Sequence, residues 1–256
     1  MEWWQEMSKT AVVTAASKGI GKSAAIAFAR AGYDVVINYK NDKSAAQETA
    51  QTVEAAGQKA LVVQADVFTE SGVRDLFEAV KNEYKTIDVL VNNAGFPGES
   101  TFGEWTMEAI SNSLTSNVGS AALCTQCAVP LMNKGGSILF NSSIYGLQFG
   151  GNPHLTLYSA GKAAIINLTQ SMAEILAPDI RCNVVAPGMT KTPSWDRANP
   201  EYVTTGLGMT LQGEWVQPEE IADAFVFLAE TPHITAQTIV IDGGWQKKIR
   251  AKANRG

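Results

Sequence analysis

Tyr158-Ser-Ala-Gly-Lys162 sets a phenol and an ammonium four residues apart. If Leu157 to Met172 is helical, the two side chains share one face. A fixed cation favours phenolate over phenol, so this spacing predicts a Tyr158 pKa lowered by Lys162. A phenol tuned in that way can give or take a proton near neutral pH. Ser143 follows a strand-like run over 137–140, and ligands collect where strands of a parallel sheet end. A hydroxyl, a phenol and a lysine together suit movement of a hydride to or from a carbonyl carbon.

A second set of residues could hold the hydride carrier. Thr10 to Thr14 reads as a strand, and the turn Ala15-Ala-Ser17-Lys18-Gly19-Ile20-Gly21 opens a helix through Ala31. Small residues at such a turn let backbone N–H groups approach a pyrophosphate. The next strand ends in Asn38-Tyr39-Lys40, where a carboxylate would grip a ribose 2′-hydroxyl. With Lys18 and Lys40 there and no acid at that strand end, the expectation is NADP(H) over NAD(H).

The elements that must position these groups alternate along the chain. Apolar runs at 35–37, 61–63, 89–91, 137–140, 183–185 and 238–241 predict further strands. Helices are expected at 43–56, 70–84, 107–132, 157–172 and 218–229. Continuous apolar strands between helices predict an α/β single-domain, Rossmann-type, doubly wound seven-stranded parallel sheet with helices on both faces. The domain is expected to span 9–245, after a leader at 1–8 and before a basic tail at 246–256. Residues 188–215 read as one long irregular segment, the usual form of a lid or binding loop.

Composition excludes several classes. The 256 residues carry 20 basic and 25 acidic side chains, a net charge of −5, which argues against nucleic acid as a partner. No apolar run reaches membrane-span length and no signal peptide is evident, so a cytoplasmic protein is expected. Three cysteines make no disulfide framework, and Cys124-x-x-Cys127 falls inside a helix rather than at its start. With two histidines, a dedicated metal site is not expected.

Thr14-Ala-Ala-Ser-Lys-Gly-Ile-Gly21, Asn92-Asn93-Ala94-Gly95, Asn117, Ser143, Tyr158-x-x-x-Lys162 and Pro187-Gly188 occur in an order that resembles the short-chain dehydrogenase/reductases. The resemblance spans Thr10 to Gly244 and is greatest to the 3-oxoacyl-acyl-carrier-protein reductase and glucose dehydrogenase type. It implies that Tyr158 is the acid/base and that Lys162 holds the nicotinamide ribose. Ser143 would bind the substrate oxygen, with Ser142 secondary, and Asn117 would hold a water in a proton relay. Asp66-Val67 would meet adenine, Asn93-Ala94-Gly95 would lie under the ribose, and Pro187, Gly188, Thr190 and Thr192 would form the nicotinamide loop. It also implies a homotetramer or dimer built on close helix packing at Ala160, Ala163 and Ala164.

Two departures stand out: Ala15 replaces the first glycine of the turn, and Gly161 replaces a common serine. The long Tyr-to-Lys spacing of enoyl reductases is absent, which argues against double-bond reduction. The expected activity is NADPH-dependent reduction of a small-molecule carbonyl, with substrate contacts from Phe96, Tyr145, Leu147, Phe149, His154, Met189, Trp195 and Trp215. The alternatives are an NAD(P)-dependent sugar or alcohol dehydrogenase working oxidatively, and a non-catalytic binding protein on the same fold.

Overall fold

Strands whose residues are apolar on both faces need cover on both sides, and the chain supplies it. The structure, a computed structural model, describes residues 8–98, 102–196 and 199–245. The expected leader and basic tail therefore lie almost wholly outside the described residues. Strands β1 (Lys9–Val13), β2 (Tyr33–Tyr39), β3 (Ala60–Gln64), β4 (Ile87–Asn92), β5 (Met132–Asn141), β6 (Ile180–Pro187) and β7 (Thr238–Ile241) form one sheet of order β3-β2-β1-β4-β5-β6-β7. Every pairing is parallel.

Side chains alternate between two cores, as strand geometry requires. Val13, Val35 and Ile37 face α1 (Gly19–Arg30), α2 (Lys43–Ala55) and α8 (Pro218–Glu230), packing with Phe28, Val53 and Phe225. Val12 and Val36 face the opposite layer, where Leu76 of α3 (Glu70–Tyr84) and Ile165 of α6 (Thr156–Leu176) are buried. Fully burying one such side chain contributes roughly 1.5–3 kcal/mol. Strand order reverses between β3 and β4, which opens a crevice at the carboxyl ends of β1 and β4.

Two expectations need correction. The helix read over 107–132 is broken into α4 (Met107–Leu114), a π turn (Thr115–Gly119), α5 (Ser120–Ala128) and a 3-10 turn (Val129–Leu131). Pro130 lacks an N–H and ends the helical run, and β5 starts at Met132. The segment read as irregular contains a 3-10 turn (Pro193–Trp195) and α7 (Pro200–Gly208). Asn199 caps α7 by accepting from the Glu201 amide at 2.8 Å, while Gly206 and Gly208 dilute its helical signal.

Candidate active site

Strand β5 delivers Asn141, Ser142 and Ser143 to the carboxyl edge of the sheet, and α6 runs back past them. Ser142 Oγ donates to the Lys162 carbonyl at 2.7 Å, so it ties strand to helix rather than facing the crevice. Ser143 Oγ accepts from the Tyr145 amide at 3.2 Å, which fixes its hydroxyl at the start of a 3-10 turn. Tyr158 and Lys162 lie one turn apart on α6, with Lys162 Nζ 5.4 Å from the Tyr158 ring centroid. Lys162 is buried, and its Nζ donates to the Asn141 carbonyl at 2.7 Å.

The electrostatics differ from the expectation that Lys162 lowers the Tyr158 pKa. Burial pushes the Tyr158 phenol up to about 12, and hydrogen bonding with the Ser143 hydroxyl works in the opposite direction. Burial likewise pulls the Lys162 ammonium down to about 8. Desolvation thus governs both groups, making the phenol harder to ionise and easing loss of a proton from the lysine.

Asn117 occupies the π turn. Its Nδ2 donates to the Ser113 carbonyl at 2.9 Å and to the Phe96 carbonyl at 2.8 Å. That first bond satisfies a helix acceptor at the point where the helix widens, a distortion frequent at functional sites. Asn117 Oδ1 is buried with no hydrogen-bond partner among the described residues. A Cβ on Gly95 would stand 2.9 Å from that oxygen and 3.0 Å from Lys162 Nζ, so carboxamide and ammonium converge on the same point. Gly161, where a serine was expected, lets α6 approach the π turn: a Cβ there would meet the Asn117 Cβ at 3.2 Å.

Toward β1 lies the nucleotide end. No side chain caps α1 and no acid occupies its first turn, so its amide groups are open to an anion. A Cβ on Gly21 would come within 2.3 Å of the Ala15 carbonyl oxygen, and Gly19 faces the Thr192 methyl across the crevice. Ala15 keeps the left-handed conformation of the glycine it replaces, φ 51°, and bears the strain. Asn93 locks the turn: its Nδ2 donates to the Thr14 and Ala15 carbonyls, and its Oδ1 accepts from Asn141 Nδ2 at 2.8 Å. Asn141 also holds Lys162, so one polar chain links the lysine to the nucleotide turn. Ala94 donates its amide to Thr14 Oγ1 at 2.9 Å.

The remaining expected cofactor contacts lie around the carboxyl ends of β1, β2, β3 and β6. Asn38 is buried and turned inward, accepting from the Ala15 amide at 3.2 Å and donating to the Ala65 carbonyl at 3.0 Å. Tyr39 is buried against β3, its hydroxyl 3.4 Å from Gln64 Oε1. Lys18 and Lys40 are not facing an acid-free site: they pair with Asp42 at 2.6 Å and with Asp66 at 2.8 Å. Asp66 Oδ1 also accepts from the Phe68 amide, and Val67 is buried. Pro187 ends β6, and Gly188 packs against Asp242 too closely for a side chain. Thr190 Oγ1 donates to the Gly188 carbonyl, and Thr192 Oγ1 is 2.6 Å from Ser194 Oγ. Ile20 is partly buried against the core under the turn, and the Ser17 carbonyl accepts from Thr49.

On the substrate side the structure gathers part of the expected set. Trp195 meets Trp215 edge-on at 5.2 Å, and Tyr145 meets Trp245 at 5.9 Å. Met189 is buried beneath Gly206 of α7. Leu147 closes the 3-10 turn after Ser143. Phe96 and Phe149 are 57% and 58% exposed, too open to count as walls of an enclosed pocket. His154 is exposed, and the contact shown for it is from its amide to Asn152 Oδ1 at 2.9 Å. Sequence reasoning missed Asn141, whose site before Ser142 was the available signal, and Tyr202, hidden in the segment read as irregular.

Comparison with known proteins gives consistent results. Residues 14–246 match the family model described as enoyl-(acyl carrier protein) reductase. The chain is 36% identical over 243 residues to a 3-oxoacyl-[acyl-carrier-protein] reductase of Synechocystis sp., covering 93% of this chain and 96% of that protein. It is 34% identical to carbonyl reductase family member 4 of Danio rerio, over 94% of this chain and 99% of the relative. Among solved structures, a short chain dehydrogenase from Burkholderia cenocepacia in complex with NADP superimposes with a TM-score of 0.87 at 30% identity. That match covers 93% of this chain and 98% of the other.

Proposed function

The chain belongs to the short-chain dehydrogenase/reductase family, and we propose that within it this oxidoreductase reduces a small, uncharged ketone with NADPH, Tyr158 supplying the proton. The observation that carries this reading is the convergence of Ser143, Tyr158 and Lys162 at the carboxyl end of β5, where the Ser143 hydroxyl is within hydrogen-bonding reach of the phenol.

The residues fit a dinucleotide. The open α1 N-terminus would take the pyrophosphate, the crevice beside Gly95 and Thr192 the nicotinamide ribose, and Lys18 and Lys40 a 2′-phosphate. NADP in the Burkholderia relative supports that choice. When bound, the nicotinamide supplies the hydride. Ser143 Oγ would donate to the carbonyl oxygen and stabilise the charge that develops there, and Tyr158 Oη would protonate it. Lys162, held by Asn141, would replenish that proton, with Asn117 Oδ1 the acceptor beside it.

The four-residue step from Tyr158 to Lys162 supports carbonyl rather than double-bond reduction, despite the description of the matching family model. Exposed Ala160 and Ala163 on α6 are the proposed contact face of a homo-oligomer. Among the described residues no helix is long and apolar enough to cross a membrane.

The test is turnover of NADPH on a panel of neutral ketones by the parent protein and by Tyr158→Phe. The expected outcome is a loss of at least roughly 100-fold in kcat with little change in NADPH affinity. A Tyr158→Phe protein as fast as the parent removes the proton donor from this account.

A further inference from the structure

Three chain segments meet at one hydroxyl, that of Tyr202. Tyr202, on α7, has its Oη 3.1 Å from Tyr145 Oη and accepts from Asn152 Nδ2 at 3.2 Å. Its ring lies flat against Trp195, centroids 6.1 Å apart and planes 19° apart, and Trp195 in turn abuts Trp215. Tyr145 is two residues beyond Ser143 and donates its amide to the Ser143 hydroxyl. Burial above all holds the Tyr145 pKa up, and the neighbouring Tyr202 and Tyr158 phenols add to that shift. The bonds from Tyr202 therefore run from α7 to the turn that carries Ser143 and to the loop that leads into α6.

We infer that Tyr202 is a specificity-determining residue: its hydroxyl latches α7 to Tyr145 and Asn152 across the substrate side of Ser143 and Tyr158, so that the site discriminates by substrate bulk.

The physical argument has two parts. The segment from 188 to 217 is closed at its neck by the Thr190–Val216 bridge, and it is tied to the domain by the Gly188 amide on the Ile241 carbonyl and by the Leu211 and Gln212 amides on the Gly243 carbonyl. Its outer part reaches the opposite wall through the Tyr202 hydroxyl, which carries both of these cross-loop hydrogen bonds. A ketone whose arms fit between the aromatic rings leaves those bonds intact. A bulkier one must lift α7 and break them, and that cost is subtracted from its binding energy. Stacking on Trp195 survives loss of the hydroxyl, so Tyr202→Phe removes the latch without removing the wall.

This inference rests on the carbonyl-reductase reading, and the experiment separates the two. kcat/KM is measured over methyl ketones of increasing chain length for the parent, Tyr202→Phe, Tyr145→Phe and the double variant. In the parent, kcat/KM falls with length. Tyr145→Phe raises long-chain turnover relative to short-chain by about fivefold, the worth of one net hydrogen bond, and Tyr202→Phe, which breaks two, raises it further. The double variant adds little, because both single changes break the same bond.

Equal loss across all lengths, or full additivity of the two changes, overturns the latch. If the parent binds NADPH but reduces no ketone, the activity reading fails. The latch is then judged by limited proteolysis within 188–217. Faster cutting of Tyr202→Phe than of the parent supports it, and equal rates overturn it.

Discussion

Lys162 Nζ and Asn117 Oδ1 point at one spot, the bare Cα of Gly95, where a side chain would touch both within about 3 Å. A buried acceptor without a partner among the described residues stands beside a buried ammonium that donates to the Asn141 carbonyl. Burial leaves that ammonium poised near pH 8.

Adding a methyl group at that spot tests it. Gly95→Ala should displace the ammonium or the carboxamide, cut kcat at least roughly tenfold, and destabilise the fold by about 1–3 kcal/mol. Asn117→Leu should also lower kcat, but with a shifted pH–rate profile, since it removes an acceptor beside the lysine. Steady-state kinetics with urea unfolding checks both. Unchanged kcat in either variant separates this cluster from proton supply.

Lys162 and Tyr158 set opposite pH dependences. In the reductive direction the ammonium must be charged, so kcat/KM should be flat below pH 8 and fall above it; the phenol, at about 12, stays protonated throughout. For stability, the lysine pKa is depressed on folding from its ordinary 10.5 to about 8. The unfolded chain therefore binds more protons between those values, and this group adds stability as pH rises through that window. The raised Tyr158, Tyr33 and Tyr84 phenols act in reverse, their contribution being lost as pH rises from 10 toward 12. Lys162→Met should be inactive yet more stable by roughly 1–3 kcal/mol below pH 8, because it removes a desolvated charge that no carboxylate among the described residues pairs with. Lower stability in the urea midpoint would show that its bond to Asn141 outweighs that burial.

The paired lysines at the nucleotide end give a third prediction. Lys18–Asp42 and Lys40–Asp66 are half-exposed pairs, readily rearranged in water, so a phosphate can compete with each carboxylate. Asp42→Asn, which keeps the α2 cap, should tighten NADPH about three- to tenfold while leaving NADH nearly unchanged. Lys40→Ala should weaken NADPH selectively. Fluorescence titration with both dinucleotides decides it, and equal effects on the two would separate these lysines from 2′-phosphate recognition.

Ala15 provides a test of strain. Its φ of 51° places a Cβ where glycine is at ease. Ala15→Gly should stabilise the protein by about 0.5 kcal/mol, the relief of left-handed strain less the added entropy of the unfolded chain. Thermal unfolding at constant cofactor concentration measures it. A loss of stability would show that the turn gains more from the methyl group than it spends on φ.

The amino-acid sequence alone determined the layered α/β fold, because buried parallel strands must be continuously apolar and their helices must alternate with them. It also determined that Tyr158 and Lys162 share a face, since helical periodicity is a local property. The boundaries of α3 and β7 were legible for the same reason. Tertiary structure alone decided which way Asn38 points, because strand register turns it into the sheet to hold Ala15. It decided that Asp42 and Asp66 reach Lys18 and Lys40, since those contacts join separate segments. It decided that burial, not the nearby ammonium, governs the Tyr158 pKa, because desolvation depends on every atom the fold brings near the phenol. It also placed Tyr202 of α7 against Tyr145 of the turn after Ser143, a meeting of distant segments that no spacing along the chain encodes.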